Sequence, residues 1–165
     1  MMRLRLLSCR HGSAAVEMAL VLPILLALLF GSVELGRYFH NEHILVKAVR
    51  DGARFAARQD FSNYTACTGA PPADVVTATR SLVMTGLLSG GSNRLANWNA
   101  TTINITMSCQ TTASGQTMSG IYRGSAGGAP IVTVSASVPY TPVFGTMVFG
   151  SLSLNASQQA TVTGI

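Results

Sequence analysis

The fold of this chain is decided by residues 10–33, which read Arg-His-Gly-Ser-Ala-Ala-Val-Glu-Met-Ala-Leu-Val-Leu-Pro-Ile-Leu-Leu-Ala-Leu-Leu-Phe-Gly-Ser-Val. From residue 13 to residue 33 there are 21 residues with one charge, that of Glu17. At about 1.5 Å of rise per residue, a helix of this length covers roughly the 30 Å hydrocarbon core of a bilayer. We therefore expect residues 13–34 to form a transmembrane helix.

Glu17 is the unusual residue of this run. An ionised carboxylate that faces lipid costs about 2.5–3.5 kcal/mol at mid-bilayer on insertion scales. The acid therefore needs a partner, unless it lies close enough to the cytoplasmic interface to be solvated there.

The residues that precede the run are basic, with Arg3, Arg5 and Arg10. Positive residues directly before a span favour keeping that side in the cytoplasm. We expect a single-pass protein with a cytoplasmic N-terminus and its C-terminal bulk on the other face of the membrane.

The basic leader, Gly12 and an apolar run with Glu as its fifth residue together resemble a prepilin-type signal. The resemblance implies that a prepilin peptidase cuts after Gly12, so that residues 1–12 are a leader and the mature chain begins at Ser13. The new amine and Glu17 then lie one helical turn apart, and the resemblance implies that Glu17 meets the amine of a neighbouring subunit. Two alternatives stay open: an uncut signal anchor, and an ordinary secretory signal, whose apolar region is about 7–15 residues long.

The composition leaves room for one small domain beyond the span. The chain has 165 residues, of which 48% are hydrophobic and 10% charged. Removing the three leader arginines from the 11 basic residues leaves eight, against six acidic residues. The basic balance is mostly a topology signal, and we exclude nucleic acid as a partner.

Three cysteines are present, and Cys9 would be lost with the leader. Cys67 and Cys109 then form an even pair in an exported domain, which predicts a disulfide. Closing a loop of about 43 residues stabilises a domain by roughly 4 kcal/mol on the chain-entropy model. The alternative is two unpaired thiols.

Beyond the span, the helical pattern continues to about residue 58. Apolar or small residues recur every three to four positions with charged residues between them; they are Leu35, Tyr38, Leu45, Val49, Gly52, Ala53 and Ala56. We expect one helix over residues 14–58, kinked near Pro23, with residues 35–59 as its extracytoplasmic extension.

Four basic residues recur at helical spacing on this extension: Lys47, Arg50, Arg54 and Arg58. They could dock an acidic partner subunit. The alternative is a solvated face partly paired with Asp51 and Asp60, because such pairs are common on exposed helices and contribute little.

Residues 12–23, 31–36 and 48–57, the last reading Ala-Val-Arg-Asp-Gly-Ala-Arg-Phe-Ala-Ala, resemble the TadE-like family of the tight-adherence (Flp) pilus system. The resemblance covers residues 10–58, about a third of the chain. It implies a pseudopilin of the bacterial inner membrane that is needed for pilus assembly. The partners it implies are the lipid bilayer, a prepilin peptidase, other pilins and the secretion machinery. The main pilin of the system is far shorter and usually has Glu-Tyr, whereas this chain has Glu17-Met18, which favours a minor subunit.

Residues 60–165 are predicted to form an α+β head. A second helix over residues 72–88, ended by Gly90-Gly91, is expected to lie on a sheet. Alternation with a period of two predicts antiparallel strands over residues 103–109, 132–140 and 152–156, the last with an extension toward residue 162. Residues 110–130 are either a loose loop or contain a short strand near Ile121. The apolar loop 139–150 either folds over the core, which we favour, or forms an exposed contact patch.

No constellation of catalytic residues is found, and we expect neither a cofactor nor a metal site. His40 and His43 have a chelating spacing, but no Asp, Glu or Cys cluster completes a site. The sequons at Asn63, Asn99, Asn104 and Asn155 are expected by chance in a chain rich in Ser, Thr and Asn.

The sequence thus predicts a pilin-like, non-enzymatic protein with one long helix and a small antiparallel head. The main alternative is an uncut, single-span anchor whose head is a binding module. A tethered enzyme is disfavoured because no acid, base, nucleophile or metal group converges in the head.

Overall fold

The computed structural model describes residues 11–65, 67–110, 118–123, 127–144 and 152–164. The element order is α1 (His11–Ala57), β1 (Thr68–Gly69), α2 (Ala73–Thr85), β2 (Ile103–Gln110), β3 (Ala129–Tyr140) and β4 (Leu152–Thr161). Three short 3-10 turns connect them, at Phe61–Tyr64, Ala100–Thr102 and Gly120–Tyr122. The predicted α+β class, with a long N-terminal helix and a small antiparallel sheet, is confirmed.

Helix α1 has 47 residues and divides into two halves of different burial. Side chains of residues 14–30 are all exposed. In the second half, one face is fully buried against the head: Leu45, Ala48, Val49, Ala53 and Ala56. This spacing of three and four is the apolar stripe that the sequence predicts. Small residues dominate the stripe, so the head approaches the helix backbone closely.

Helix α2 differs from its prediction in length and in position. It ends at Thr85 because Gly86 adopts a left-handed backbone (φ 85°) and donates its N–H to the carbonyl of Leu82 at 2.9 Å. This is a C-terminal cap of the kind that glycine favours. The predicted stop at Gly90-Gly91 is therefore wrong.

Helix α2 packs against α1, and the expectation that it would lie on the sheet is wrong. Gly52 makes this packing possible, because a Cβ atom there would lie 2.3 Å from Cγ2 of Val83. Toward the sheet, Arg80 Nε donates to the carbonyl of Ile103 at 3.3 Å.

The sheet is antiparallel throughout, with strand order β1-β2-β3-β4. The register pairs Ile105 with Val134, and Val134 with Gln158. Strand β3 starts earlier than predicted, at Ala129, and β4 continues to Thr161, as the pattern allowed. The inner face joins the stripe of α1 in one core, with Ile103, Ile105, Met107, Val132, Val134, Val138 and Leu154.

Two predicted loops fall partly within the described residues. Ile121 lies in a 3-10 turn and not in a strand, while residues 111–117 and 124–126 of the same loop lie outside the described part. In the apolar loop, Val143 and Phe144 are exposed, so its described beginning does not cover the core as we expected. Its residues 145–150 lie outside the description.

Candidate functional site: the N-terminal helix and its junction with the head

The first half of α1 has an apolar surface that the head does not cover. Its most apolar 18 residues have a mean hydropathy of 2.3, and none of them is buried. Within the described residues, this is one helix long and apolar enough to cross a membrane. A large uncovered apolar surface marks a contact with lipid or with another protein. The geometry fits a single-pass membrane anchor.

The predicted processing residues lie in the first turns of α1. Gly12, Ser13 and Glu17 all fall within the helix, with Ser13 and Glu17 four positions apart. Residues 1–10 of the predicted leader lie outside the described residues. Cleavage after Gly12 therefore stays a prediction. Helix α1 continues through Pro23, and the kink expected there also stays a prediction.

Glu34 lies at the end of the apolar half of α1, and its side chain is only 2% exposed. Its carboxylate accepts the phenolic O–H of Tyr140, the last residue of β3. The other carboxylate oxygen accepts the backbone N–H of Val143 at 3.0 Å. A buried carboxylate is costly unless it is hydrogen-bonded, and here the head supplies the donors. We name Glu34, Tyr140 and Val143 the junction.

Aromatic rings surround the junction. The ring centroids of Phe30 and Phe144 are 4.8 Å apart, and those of Tyr38 and Tyr140 are 5.3 Å apart with the rings nearly perpendicular. Such edge and tilted pairs add to the energy of burial. Both ring pairs lie where the apolar half of α1 meets the head.

The phenol of Tyr140 is held in its protonated form. Burial raises the pKa of Tyr140 to about 12, with a further contribution from the hydrogen bond to Glu34. Burial likewise raises the pKa of Tyr64 to about 12, where its O–H donates to the carbonyl of Ala56 near the end of α1. Both tyrosines therefore serve as hydrogen-bond donors throughout the physiological pH range.

The basic residues Lys47, Arg50, Arg54 and Arg58 all have exposed side chains on the side of α1 that does not face the core. Asp51 forms an ion pair with Arg94 of the head at 3.7 Å, and not with any of these four basic residues. Asp60 accepts the N–H of Ser62 at 2.8 Å, which lowers the pKa of its carboxyl. Among the described residues, no acid forms an ion pair with these four basic residues. Their docking role stays a prediction.

The predicted pair of cysteines is joined. Cys67 and Cys109 form a disulfide with a Cα–Cα distance of 5.0 Å. Gly127 lies against it, because a Cβ atom there would lie 2.2 Å from Sγ of Cys67. The bond ties the segment before α2 to the end of β2.

His40 and His43 are both exposed. No group of three or more His, Cys, Asp or Glu side chains comes together among the described residues.

Sequence reasoning misses the junction. The helical pattern predicts that Glu34, like the other charged residues between apolar positions, is exposed to solvent, but it is buried. A signal is present: Glu34 is an acid directly after an apolar run, and Tyr140 lies in an otherwise apolar stretch. Their separation of 106 positions hides the pairing.

The fold and the site define a class: an α+β protein with one long N-terminal helix, of which the first half is apolar and uncovered and the second half carries the head. The family model described as TadE-like protein matches residues 12–54, which confirms the resemblance over the first part of the chain. No curated protein and no solved structure matches the chain.

Proposed function

We propose that this chain is a minor pilin or pseudopilin needed for assembly of Flp-type tight-adherence pili, and that a prepilin peptidase processes it after Gly12. The observation that carries the proposal is the division of α1. Its first half is apolar and uncovered, whereas its second half is built into the core of the head. The match of residues 12–54 to the TadE-like family supports it.

The mechanism is packing and not catalysis. Cleavage would free the amine of Ser13 one helical turn from Glu17, because residues four apart share a helix face. In lipid, an acid and an amine from adjacent subunits cancel two charges that are each costly alone. That pairing would set the register between neighbouring helices during assembly.

The surroundings proposed for the chain follow from this mechanism. It lies in the bacterial inner membrane with a cytoplasmic N-terminus, and its head lies in the periplasm or on the pilus. Its partners are the bilayer, the peptidase, other pilins and the secretion machinery. The stripe Lys47, Arg50, Arg54 and Arg58 docks an acidic surface of one of these subunits.

Mass spectrometry of the protein from cell envelopes tests the processing step. We expect a mature chain that begins at Ser13. Glu17→Ala is expected to be cut as before but to co-purify less with other pilins, and Glu17→Gln to behave in the same way because it also lacks the charge. An intact residue 1, or unchanged assembly of both variants, contradicts the proposal.

A membrane-tethered binding module is the second candidate, because the core of the head uses α1 only from Tyr38 onward and leaves out the apolar half. Exchanging residues 13–33 for an unrelated apolar span separates the two functions. A tether keeps its activity after the exchange, whereas a pilin loses assembly because its helix surface makes specific contacts.

A further inference from the structure

We propose that the turn after β3, formed by Pro142, Val143 and Phe144, enters the membrane interface beside α1 and is a second contact of this protein with the lipid bilayer. The inference rests on α1 spanning the bilayer, as in the proposed function, but not on any role in a pilus.

The depth of the turn follows from one ring contact. Phe30 lies three residues before the end of the apolar run at residue 33, which is about 4.5 Å of helix. The ring centroid of Phe144 lies 4.8 Å from that of Phe30. If Phe30 is in the membrane, the ring centroid of Phe144 lies within 4.8 Å of the same depth, which is at the level where the apolar run ends.

The turn is held in this position by the junction. Val143 donates its N–H to the Glu34 carboxylate at 3.0 Å. Tyr140, two residues before Pro142, donates its O–H to the same carboxylate. Both bonds attach the turn to α1 where the apolar run ends. The turn therefore keeps a fixed height along the helix.

The surface presented at this height is apolar and open. Val143 is 56% exposed and Phe144 37% exposed. Glu34 and Tyr140 of the junction also line a depression of about 360 Å³, together with Gly31, Leu35, Tyr38 and Leu152. Removing apolar surface from water is favourable in proportion to its area. An exposed valine and phenylalanine next to a membrane span would therefore gain from entering the interface.

Lipid is the occupant that this surface fits best. The ring of Phe144 contacts Phe30 among the uncovered side chains of the span, and the described residues 141–144 carry no charge. Arg37, exposed three residues after Glu34, is placed to meet headgroups. Apolar side chains of interfacial segments reach about 5–10 Å into the boundary between headgroups and acyl chains, a depth that Val143 and Phe144 can share.

Depth-dependent fluorescence quenching of the full chain in phosphatidylcholine vesicles tests the proposal. Trp98 is the one tryptophan of the chain, and its Nε1 has no hydrogen-bond partner among the described residues, so Trp98→Phe provides a silent background. Tryptophan is then placed at Val143, whose side chain is exposed. Lipids that carry a nitroxide near the headgroup end of the acyl chain serve as the quencher.

Two further tryptophan variants serve as controls, one in the span and one on an exposed position of the head. Leu28→Trp reports the span. Thr106→Trp reports an exposed position on β2 that pairs with Thr133, seven residues before the end of β3. We expect Val143→Trp to lose most of its emission with the shallow nitroxide and Thr106→Trp to lose almost none.

Three outcomes overturn the proposal. Val143→Trp could match Thr106→Trp while Leu28→Trp is quenched, so that the turn is in water although α1 spans. Protection of Val143→Trp both from the nitroxide and from iodide in the water would mean that a neighbouring subunit, and not lipid, covers the turn. Absence of quenching at Leu28→Trp would remove the span itself, and with it the proposed function.

Discussion

At the scale of single residues, Glu34 is the side chain on which the relation between head and helix depends. Its carboxylate is buried at the end of the apolar run, and an unmade hydrogen bond to a buried carboxylate is costly. Tyr140 and Val143 supply those donors from the far end of the sequence. Sequence alone could not place them, because a hydrogen bond across 106 positions leaves no periodic signal.

Tyr140→Phe is expected to destabilise the head in detergent by about 1–3 kcal/mol, because it leaves one oxygen of a buried carboxylate without its O–H donor. Tyr38→Phe is the matched control, since that ring is in the same cluster and its hydroxyl makes no hydrogen bond within the described residues. Thermal unfolding followed by near-ultraviolet circular dichroism measures both variants. Equal midpoints for the two variants would show that the hydrogen bond from Tyr140 to Glu34 does not stabilise the head.

Burial of the Tyr140 phenol, together with its hydrogen bond to Glu34, predicts a dependence of stability on alkaline pH. The pKa of Tyr140 is raised from its ordinary value of 10.0 to about 12 in the folded chain. A raised pKa means that this contribution is complete below pH 10.0 and is lost as the pH rises through about 12. The unfolding temperature of the native chain should therefore decrease as the pH rises from 10.0 to about 12. The unfolding temperature of Tyr140→Phe should decrease less steeply over the same range.

At the scale of elements, the sequence predicts what is periodic and misses what depends on a single close contact. The stripe of α1 and the alternation in β2 follow from spacings of 3.6 and 2.0. The position of α2 does not, because it depends on Gly52 having no side chain where Val83 approaches. The end of α2 is also not predicted, because three glycines follow the helical pattern and the sequence does not show which one caps it. Gly86 adopts the capping conformation, and not Gly90-Gly91.

Gly52→Ala tests the contact between α1 and α2. A Cβ atom 2.3 Å from Cγ2 of Val83 forces one helix to shift, and overpacking of this kind costs about 1–3 kcal/mol. Adding Val83→Ala should recover part of the loss, because it removes the atom that clashes. Chemical denaturation in detergent measures each variant.

Gly36→Ala is the control for this pair, because no atom lies within 4 Å of the Cβ position there. Replacing glycine by alanine inside a helix is favourable by up to about 1 kcal/mol. We expect Gly36→Ala to be neutral or stabilising. A comparable loss of stability in both variants would mean that the loss does not arise from packing against α2.

At the scale of the whole molecule, α1 has three surfaces of different character. The first half is apolar and uncovered, one face of the second half is buried in the head, and the remaining face of that half carries the basic stripe. Arg94 of the head forms an ion pair with Asp51, whereas the basic stripe stays exposed. A subunit built in this way can contact neighbours through lipid-facing and water-facing parts of one helix at the same time.

If the stripe docks an acidic neighbour, Arg54→Glu should reduce co-purification with other pilins more than Arg54→Ala does, because it replaces attraction by repulsion. Raising the salt concentration should weaken the native interaction in the same direction, since exposed charges are screened beyond about 10 Å at 0.1 M ionic strength. Arg123→Glu is the matched control, because Arg123 is an exposed arginine of the head and not of α1. If Arg54→Glu and Arg123→Glu have the same effect, net charge explains the result and the stripe is an ordinary solvated face. A loss confined to Arg54→Glu and sensitive to salt would instead place the acidic partner along the water-facing side of α1, directly above the surface that faces the bilayer.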